Sequence, residues 1–273
     1  MGGRIMNLTE TRNERTMHID KMSTLEMLTV INQEDATVIK AVEAELPQIA
    51  KAVDAIVEGL NQGGRLLYIG AGTSGRLAVV DAAECPPTYG VPRDLVQGII
   101  AGGAKTMMQA SENEEDNKEK GIEEMQIRNI TKNDVVVGIS ASGGASYVLG
   151  ALEEAKRVGC VTVGISNNKG CPIDKFVDIS ICPQTGPEVV TGSTRMKAGT
   201  SQKLVLNMIS TCSMIKTGKV YENLMINLQP TNIKLRGRVI SIVRDILSCD
   251  EEKAVELLEK HNWSIRAVVD NEI

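Results

Sequence analysis

Glycine and hydroxyl residues cluster in two short segments, and together these segments could bind a phosphate group. The first, Gly70–Gly75, reads GAGTSG, and the second, Ser140–Ser146, reads SASGGAS; each follows an apolar run and precedes a helix pattern. Backbone amides at a helix start, with hydroxyls beside them, are suitable donors to a phosphate monoester. Ordinary N-capping is the alternative for either segment alone. Two such segments in one sheet favour phosphate contact.

The first segment also matches a dinucleotide pattern, because Gly70, Gly72 and Gly75 have the spacing G-x-G-x-x-G. A dinucleotide site usually has an acid at the end of the next strand, where it binds the ribose. The next apolar run, Leu95–Ala101, is followed by two glycines and no carboxylate. The sequence therefore favours a sugar phosphate over a dinucleotide.

Two acidic positions could transfer protons beside such a phosphate. Glu84 stands just before Pro86 and Pro87, which restrict the backbone after the first segment's helix. The cluster Glu112–Asp116 follows the next helix pattern, and clustered acids can retain a proton near neutrality. The alternatives are a solvated helix end for Glu84 and a charged surface for the cluster, and charge alone favours the surface interpretation for the cluster.

A further segment, Glu188–Thr200, contains one acid, two bases and several hydroxyls before a long helix pattern. Thr191 or Ser193 is predicted to cap that helix. Arg195 and Lys197 could contact anionic groups, although basic residues in a first turn oppose the helix dipole. A salt bridge to an acid elsewhere explains these bases equally well.

Composition excludes several other classes of function. The chain has 273 residues and a net charge of −5, which argues against a general nucleic-acid binder. Two histidines argue against a histidine zinc site or a Ser-His-Asp triad, and six scattered cysteines without a C-x-x-C pair indicate reduced thiols. There is no apolar run of membrane-spanning length and no signal-peptide pattern, so we expect a cytoplasmic protein.

The order of predicted strands and helices around these residues is typical of an α/β protein. Continuous apolar runs alternate with helix patterns, which predicts a doubly wound, parallel, five-stranded sheet with flanking helices. The strands are expected at Arg65–Ile69, Leu95–Ala101, Asp134–Ile139, Cys160–Ile165 and Val177–Cys182. We predict an N-terminal helical segment over 1–62, a sugar-phosphate-binding core over 63–233 and a small helical appendage over 234–273. Ligands of such sheets bind at the carboxyl edge of the strands.

Helix patterns complete this picture. A short helix is expected over Ser23–Asn32, then one or two helices over Glu34–Gln62 with a break near Pro47. Residues up to about Met17 are expected to be extended. The first phosphate segment is expected to begin a helix over Ser74–Ala83, which ends before Glu84.

Together these segments resemble the N-acetylmuramic acid 6-phosphate etherases, which have the sugar isomerase (SIS) fold. The match runs through most of the chain and includes IDKMSTLEML, GAGTSGRLAVVDAAECPPTYGV, DVVVGISASG and EVVTGSTRMKAGTSQKLVLNM. The segments ECPPTYG and TGSTRMKAGT are specific to this family and its relatives. One departure stands out: where the family usually reads SGRTP, this chain reads SGGAS at Ser142–Ser146, so the Arg, Thr and Pro are missing.

The resemblance implies a carbon–oxygen lyase that removes D-lactate from the C3 ether of N-acetylmuramic acid 6-phosphate, in cell-wall amino-sugar recycling. It implies that Glu84 protonates the departing ether oxygen and that Glu115 handles the C2 proton and the incoming water, with Glu112 and Asp116 as weaker candidates. It implies no metal or redox cofactor, and a homodimer. The substrate-binding residues expected on this basis are Gly72, Thr73, Ser74, Ser140, Ser142, Gly143, Ser193, Arg195 and Lys197.

Two alternatives stay open at this point. A sugar-phosphate-sensing regulator of the same superfamily would bind the ligand without turning it over, and the altered loop at Gly144–Ser146 favours it slightly. An aldose–ketose phosphate isomerase would remove the C2 proton but would need no acid at an ether oxygen. Glu84 and Glu115 together favour the etherase.

Overall fold

A five-stranded parallel sheet forms the centre of the computed structural model, which describes residues 7–109, 113–228, 230 and 232–273. Its strands in chain order are β1 (Leu66–Gly70), β2 (Val96–Ile100), β3 (Val135–Ile139), β4 (Val161–Ile165) and β5 (Ile179–Ile181). They are arranged β2-β1-β3-β4-β5, and every neighbouring pair is parallel. The predicted fold class is confirmed, because the five mostly apolar strands form one parallel sheet with helices on both faces.

Ten α-helices accompany the sheet in the described part of the chain. They are α1 (Thr24–Glu43), α2 (Leu46–Asn61), α3 (Gly72–Tyr89), α4 (Lys105–Met108), α5 (Lys118–Ile127), α6 (Ser146–Val158), α7 (Lys197–Lys216), α8 (Ile233–Leu247), α9 (Glu251–Lys260) and α10 (Ile265–Glu272). None of these helices has the length and apolar character needed to cross a membrane.

The two faces of the sheet carry different helices because side chains alternate along each strand. Leu66 and Tyr68 of β1 point into a core shared with α1, α2, α3 and α7. Leu67 and Ile69 point into the opposite core, which α5 and α6 complete. The helices α3 and α7 are thereby packed side by side on the same face.

The C-terminal helices form a third apolar cluster of their own. Helices α8, α9 and α10 pack around Val239, Leu258 and Val268, together with residues of the short hairpin β6 (Val220–Tyr221) and β7 (Leu224–Met225). The Arg236 guanidinium lies 3.9 Å above the Trp263 ring and covers one side of the cluster. This cluster begins upstream of the predicted boundary at 233–234, and the three-part division of the chain stays a prediction.

Three local predictions are wrong. Helix α1 runs without interruption from Thr24 to Glu43, so the expected separation of two helices near Asn32 is absent. The predicted break near Pro47 is confirmed, because α1 ends at Glu43 and α2 begins at Leu46. The segment before Met17 contains short 3-10 turns rather than extended chain alone. Helix α3 continues through its two prolines to Tyr89.

The continuation of α3 has a physical reason. Pro86 and Pro87 lie in its last turn, and the helix is stabilised there by its packing against β2 and α7. Gly90 then ends it in a left-handed conformation, with its amide donating to the carbonyl of Pro86. Glu84 is therefore a side chain on the surface of a helix and does not belong to a loop after it.

Candidate active site

A cavity of about 760 Å³ lies at the carboxyl edge of the sheet, where β1 and β3 end. Both hydroxyl-rich segments contribute to it, as the parallel topology requires. The described residues that line it are Asn7, Ala71, Gly72, Thr73, Ser74, Glu115, Asp116, Ile139, Ser140, Ser142, Gly144, Ala145, Gly170, Cys171, Pro172, Lys175 and Thr194. We call it the main cavity.

The second hydroxyl-rich segment presents two serines to this cavity in a defined hydrogen-bonded arrangement. The Ser142 Oγ accepts from the amide of Gly144 at 3.2 Å, and the Ser140 Oγ accepts from the amide of Ala145 at 3.5 Å. The two hydroxyls lie 3.4 Å apart, and only one of them can donate to the other. At least one hydroxyl proton is therefore directed away from the pair and can be donated to an anion.

Gly143 supports this loop from behind and is not itself among the described residues that line the cavity. Its φ of +69° is accessible to glycine, and an added Cβ would meet the side chain of Cys171. Its carbonyl accepts from the amide of Ile173 at 2.9 Å. These contacts hold Ser142 in place.

The first segment begins helix α3 directly at the cavity. Gly70 and Gly75 allow the end of β1 and the first turn of α3 to touch, since a Cβ on Gly75 would lie 2.6 Å from the carbonyl oxygen of Gly70. Close strand–helix packing thus explains Gly70 and Gly75, whereas Gly72 has a positive φ of +53° and no close neighbour for a Cβ. The buried Ser74 hydroxyl donates to Oε1 of Gln202 at 2.9 Å, so Gln202 of α7 orients it.

Glu115 joins the main cavity through a backbone contact with the second segment's helix. Its carbonyl accepts from the amide of Tyr147 at 2.9 Å, in the first turn of α6. Asp116 lines the cavity beside it, whereas Glu112 lies outside the described residues. One expected catalytic acid is therefore positioned in the same cavity as the phosphate-type donors.

Glu84 lies in a different cavity, of about 240 Å³, between helices α3 and α7. Its described lining residues are Leu77, Val80, Asp81, Glu84, Cys85, Thr88, Tyr89, Lys203, Leu206, Asn207, Ser210 and Thr211, and none of them also lines the main cavity. We call it the Glu84 cavity. Since Ser74 and Glu84 are ten residues apart on one helix, about 15 Å separates them along its axis.

Lys197, expected to bind substrate, is buried and paired with an acid elsewhere in the chain. Its ammonium lies 2.6 Å from Oε2 of Glu34 in α1, and only 2% of Lys197 and 4% of Glu34 are exposed. Asn13 donates to the same carboxylate at 2.8 Å, and Arg15 pairs with its other oxygen at 2.9 Å. Burial opposes ionisation of Glu34, but these contacts lower its pKa overall.

The predicted cap of helix α7 by Thr191 or Ser193 is wrong. Instead the fully buried carboxylate of Glu188 accepts from the amides of Lys197 and Ala198, each at 2.9 Å. Burial raises the pKa of Glu188, and these two hydrogen bonds act in the opposite direction. A longer side chain from upstream thus replaces the local cap.

Ser193 and Arg195, both expected to bind substrate, lie in the loop before α7. Neither is among the described residues that line the main cavity, although Thr194 between them is. Lys175 was missed by the sequence analysis, yet it is the one cation among the described lining residues of the main cavity. Gln202 was missed as well, and Glu188 was recognised as the acid of the segment Glu188–Thr200 but not as the cap of α7. The sequence did contain a signal for Glu188 and Gln202, because both are polar residues in or just after the segment Glu188–Thr200.

Comparisons with known proteins agree with this geometry. The model of the SIS domain family matches residues 103–211, and that of the glucokinase regulatory protein N-terminal SIS domain matches residues 48–156. A phosphoheptose isomerase from Francisella tularensis superposes with a TM-score of 0.57 at 20% identity, over 72% of this chain and 100% of that one. A phosphoheptose isomerase from Neisseria gonorrhoeae superposes with a TM-score of 0.55 at 18% identity, over 70% of this chain and 99% of that one. These structures support the fold alone.

Sequence relatives are much closer. The N-acetylmuramic acid 6-phosphate etherase of Clostridium beijerinckii is 54% identical over 96% of this chain and 86% of its own length. The etherase of Symbiobacterium thermophilum is 51% identical over 96% of this chain and 87% of its own length. The etherase of Aliivibrio fischeri strain MJ11 is 55% identical over 93% of this chain and 84% of its own length. With a parallel SIS sheet, two hydroxyl-rich loops at its carboxyl edge and this degree of identity, the chain belongs to the N-acetylmuramic acid 6-phosphate etherase family.

Proposed function

We propose that this chain is a lyase that converts N-acetylmuramic acid 6-phosphate and water into N-acetylglucosamine 6-phosphate and D-lactate. The observation that carries the proposal is the main cavity, where Glu115 lies in one space with the two hydroxyl-rich loops. Phosphate anchoring and proton transfer are the two things that the reaction requires of one site. Etherase relatives more than 50% identical make this the reaction to test.

The phosphate is bound by the loops of the main cavity. The amides at the start of α3 and the hydroxyls of Thr73, Ser140 and Ser142 donate to its oxygens. Lys175 supplies a positive charge that partly offsets the missing arginine of the family's usual SGRTP loop. Ser74 takes part only if its proton turns away from Gln202.

The ring-opened sugar supplies an aldehyde at C1, which makes the C2 proton removable. Glu115 takes that proton, the electron pair forms the C2–C3 double bond, and the C3–oxygen bond breaks. Glu84 gives its proton to the leaving oxygen, so that lactate departs with a hydroxyl group. Water then adds at C3 and a proton returns to C2, which restores a saturated sugar.

The separate positions of Glu84 and Glu115 support a site that takes these two acids from different copies of the chain. No described residue lines both cavities, and Ser74 and Glu84 lie roughly 15 Å apart along the axis of α3. On one copy the two acids therefore open into separate spaces. We propose a homodimer in which the Glu84 cavity of one copy faces the main cavity of the other.

The six cysteines are all free of disulfides, and four of them are buried. Free thiols on this scale are typical of reducing compartments. On this basis we propose that the protein works in the cytoplasm.

Lactate release in D2O tests the reaction. The purified protein is incubated with N-acetylmuramic acid 6-phosphate, and lactate and the deuterium content at C2 are measured together. Elimination followed by hydration predicts lactate in equal amount with C2-deuterated N-acetylglucosamine 6-phosphate. Binding without lactate would favour the sensing regulator, and C2 exchange with aldose–ketose conversion but no lactate would favour the isomerase.

Mixed variants test the shared site. Glu84→Gln and Glu115→Gln chains are each expected to be inactive alone. If each site takes one acid from each copy, a mixed dimer contains one site with both acids intact, and mixing restores lactate release to at most about a quarter of the wild-type rate after random exchange. No recovery in dimers confirmed to be mixed would contradict the shared site and leave the reaction assay unaffected.

A further inference from the structure

The Glu84 cavity contains one positive charge that the reaction scheme above does not use. Lys203 of α7 is the one cation among its described lining residues, where Asp81 and Glu84 already supply two carboxyl groups. With the Asn207 amide oriented to satisfy both of its ends, the Lys203 ammonium donates to Oδ1 of Asn207 at 2.6 Å, and Nδ2 of Asn207 donates to the Lys203 carbonyl at 3.1 Å. The ammonium is thus held at the cavity by a neutral partner.

We propose that Lys203 binds the lactyl carboxylate of the substrate and makes the site specific for an acidic C3 ether. The proposal rests on the proposed function, because it takes Glu84 as the donor to the ether oxygen. It adds a determinant of specificity that lies outside the phosphate loops and outside the two acids.

The argument follows from the covalent structure of the leaving group. Only the lactyl Cα separates the ether oxygen from the carboxylate carbon, so a group that protonates the oxygen is within a few ångströms of the carboxylate. An anion brought next to Glu84 and Asp81 would be repelled unless a cation stood nearby. Lys203 is the side chain in this cavity that can provide that charge.

The remainder of the cavity suits a lactyl group. Leu77 and Leu206 provide an apolar wall for its methyl group, and Thr211 lies beside them with a hydroxyl that accepts from Tyr89 Oη at 3.3 Å. A small acid with one methyl group matches a space of about 240 Å³ with one ammonium at its edge. The main cavity, by contrast, has its own cation in Lys175, so the phosphate and the lactyl carboxylate of the substrate are bound by different lysines.

The test compares two substrates that differ only in this charge. N-acetylmuramic acid 6-phosphate and its lactyl carboxamide are assayed for release of the C3 substituent, and kcat/KM is measured for each. The wild-type protein is expected to prefer the acid by about 10- to 100-fold, the range of one hydrogen bond to a charged group. Lys203→Met should bring the ratio close to one by lowering kcat/KM for the acid alone.

Two further variants make the result decisive. Lys216→Met removes a lysine on the same helix that pairs with Asp54 on the surface, and it should keep the wild-type ratio. Asn207→Asp should reduce the preference as Lys203→Met does, because the new carboxylate neutralises the ammonium, and it replaces Lys203→Met if that variant does not fold.

The outcomes separate the two proposals. Equal turnover of acid and carboxamide by the wild-type protein, or an unchanged ratio in Lys203→Met and Asn207→Asp, would overturn the role of Lys203 while the etherase function stands. Release from neither substrate by folded wild-type protein would overturn the etherase function itself, and with it the role of Lys203.

Discussion

The main cavity and the Glu84 cavity lie toward opposite ends of helix α3, and they are built differently. The main cavity is formed by loops at the carboxyl edge of the sheet, where glycines, backbone amides and serines supply the polar groups. The Glu84 cavity is formed by the side chains of two packed helices and presents two carboxyl groups and one ammonium. The polar groups of the main cavity depend mainly on the backbone geometry of its loops, whereas those of the Glu84 cavity depend on the identity of its side chains.

This difference has a consequence for how each cavity responds to substitution. A loop that binds an anion through several amides and hydroxyls loses only part of its affinity when one donor is removed. A cavity that relies on a single acid and a single ammonium loses a whole function with either one. On the proposed function, the loop at Ser142–Ser146 should tolerate the change from SGRTP to SGGAS more readily than the Glu84 cavity would tolerate a change at Glu84 or Lys203.

The largest effect is expected from the two acids, and it should differ between the cavities. Glu84→Gln and Glu115→Gln should each lower lactate release by at least about 100-fold, since each removes one proton transfer. Exchange of the C2 proton with solvent should survive in Glu84→Gln, because Glu115 is intact, and should be lost in Glu115→Gln. Deuterium incorporation into unreacted substrate measures this.

The opposite pattern would reverse the assignment of the acids. If Glu115→Gln exchanged the C2 proton at the wild-type rate while Glu84→Gln did not, Glu84 would be the base at C2. Circular dichroism of both variants provides the control for folding.

The next effect concerns stability and not catalysis. Lys197→Met should lower the free energy of unfolding by about 3 kcal/mol, because it leaves the buried Glu34 carboxylate with fewer compensating charges. KM should stay near the wild-type value, since Lys197 does not line the main cavity. Urea denaturation measures the stability, and Lys216→Met serves as the surface control with little expected change.

A large rise in KM for Lys197→Met without loss of stability would contradict this interpretation. Lys197 would then contact substrate after a rearrangement of the loop before α7, as the sequence alone suggested.

A smaller effect is expected in the phosphate loop. Ser142 lines the main cavity, and Ser142→Ala should raise KM for the sugar phosphate by about 10-fold, as the proposed hydrogen bond to a phosphate oxygen is lost. Ser146→Ala, in the same segment but not among the described residues lining the main cavity, should change KM little. Equal effects of the two changes would mean that the loop as a whole, and not the Ser142 hydroxyl, determines affinity.

Much of the fold was predictable because parallel strands are buried on both faces and therefore read as continuous apolar runs. The predicted strands fall within two residues of the observed ends, and the helices at Lys118–Ile127 and Ser146–Val158 have the predicted bounds. The position of both hydroxyl-rich loops at one edge followed from the parallel topology.

The remaining features depend on contacts that a linear pattern does not contain. The partner of Lys197 is Glu34, 163 residues earlier in the chain, and the cap of α7 is a glutamate instead of the nearby hydroxyls. The placement of Glu84 in a second cavity depended on α3 continuing through Pro86 and Pro87, where local rules predict a stop. In each case tertiary packing outweighed the local preference.

The smallest expected effect concerns Asp81, whose buried carboxyl in the Glu84 cavity lowers the stability of the fold. Burial raises the pKa of the Asp81 carboxyl, although a hydrogen bond from Ser210 at 3.1 Å acts in the opposite direction. The fully buried Tyr68 lies beside this carboxyl and also lowers its pKa, but neither the Tyr68 hydroxyl nor Oδ2 of Asp81 has a well-formed hydrogen bond in the described structure. An asparagine could accept from Ser210 and donate to Tyr68, so Asp81→Asn should add on the order of 1 kcal/mol of stability at pH 7.

The pH dependence of this gain follows from the sign of the shift. Because the pKa of Asp81 is higher in the folded state than in the unfolded chain, its contribution to stability is fully present below the unfolded pKa. That contribution is lost as the pH rises through the folded pKa. The advantage of Asp81→Asn should therefore be largest near neutrality, shrink as the pH falls through the raised folded pKa, and lose its charge-dependent part below about pH 4, as measured by melting temperature across that range. A gain that is independent of pH would show that the new hydrogen bond alone, and not the buried charge, separates the two proteins; a loss at pH 7 would mean that the Asp81 charge stabilises this cavity through Lys203.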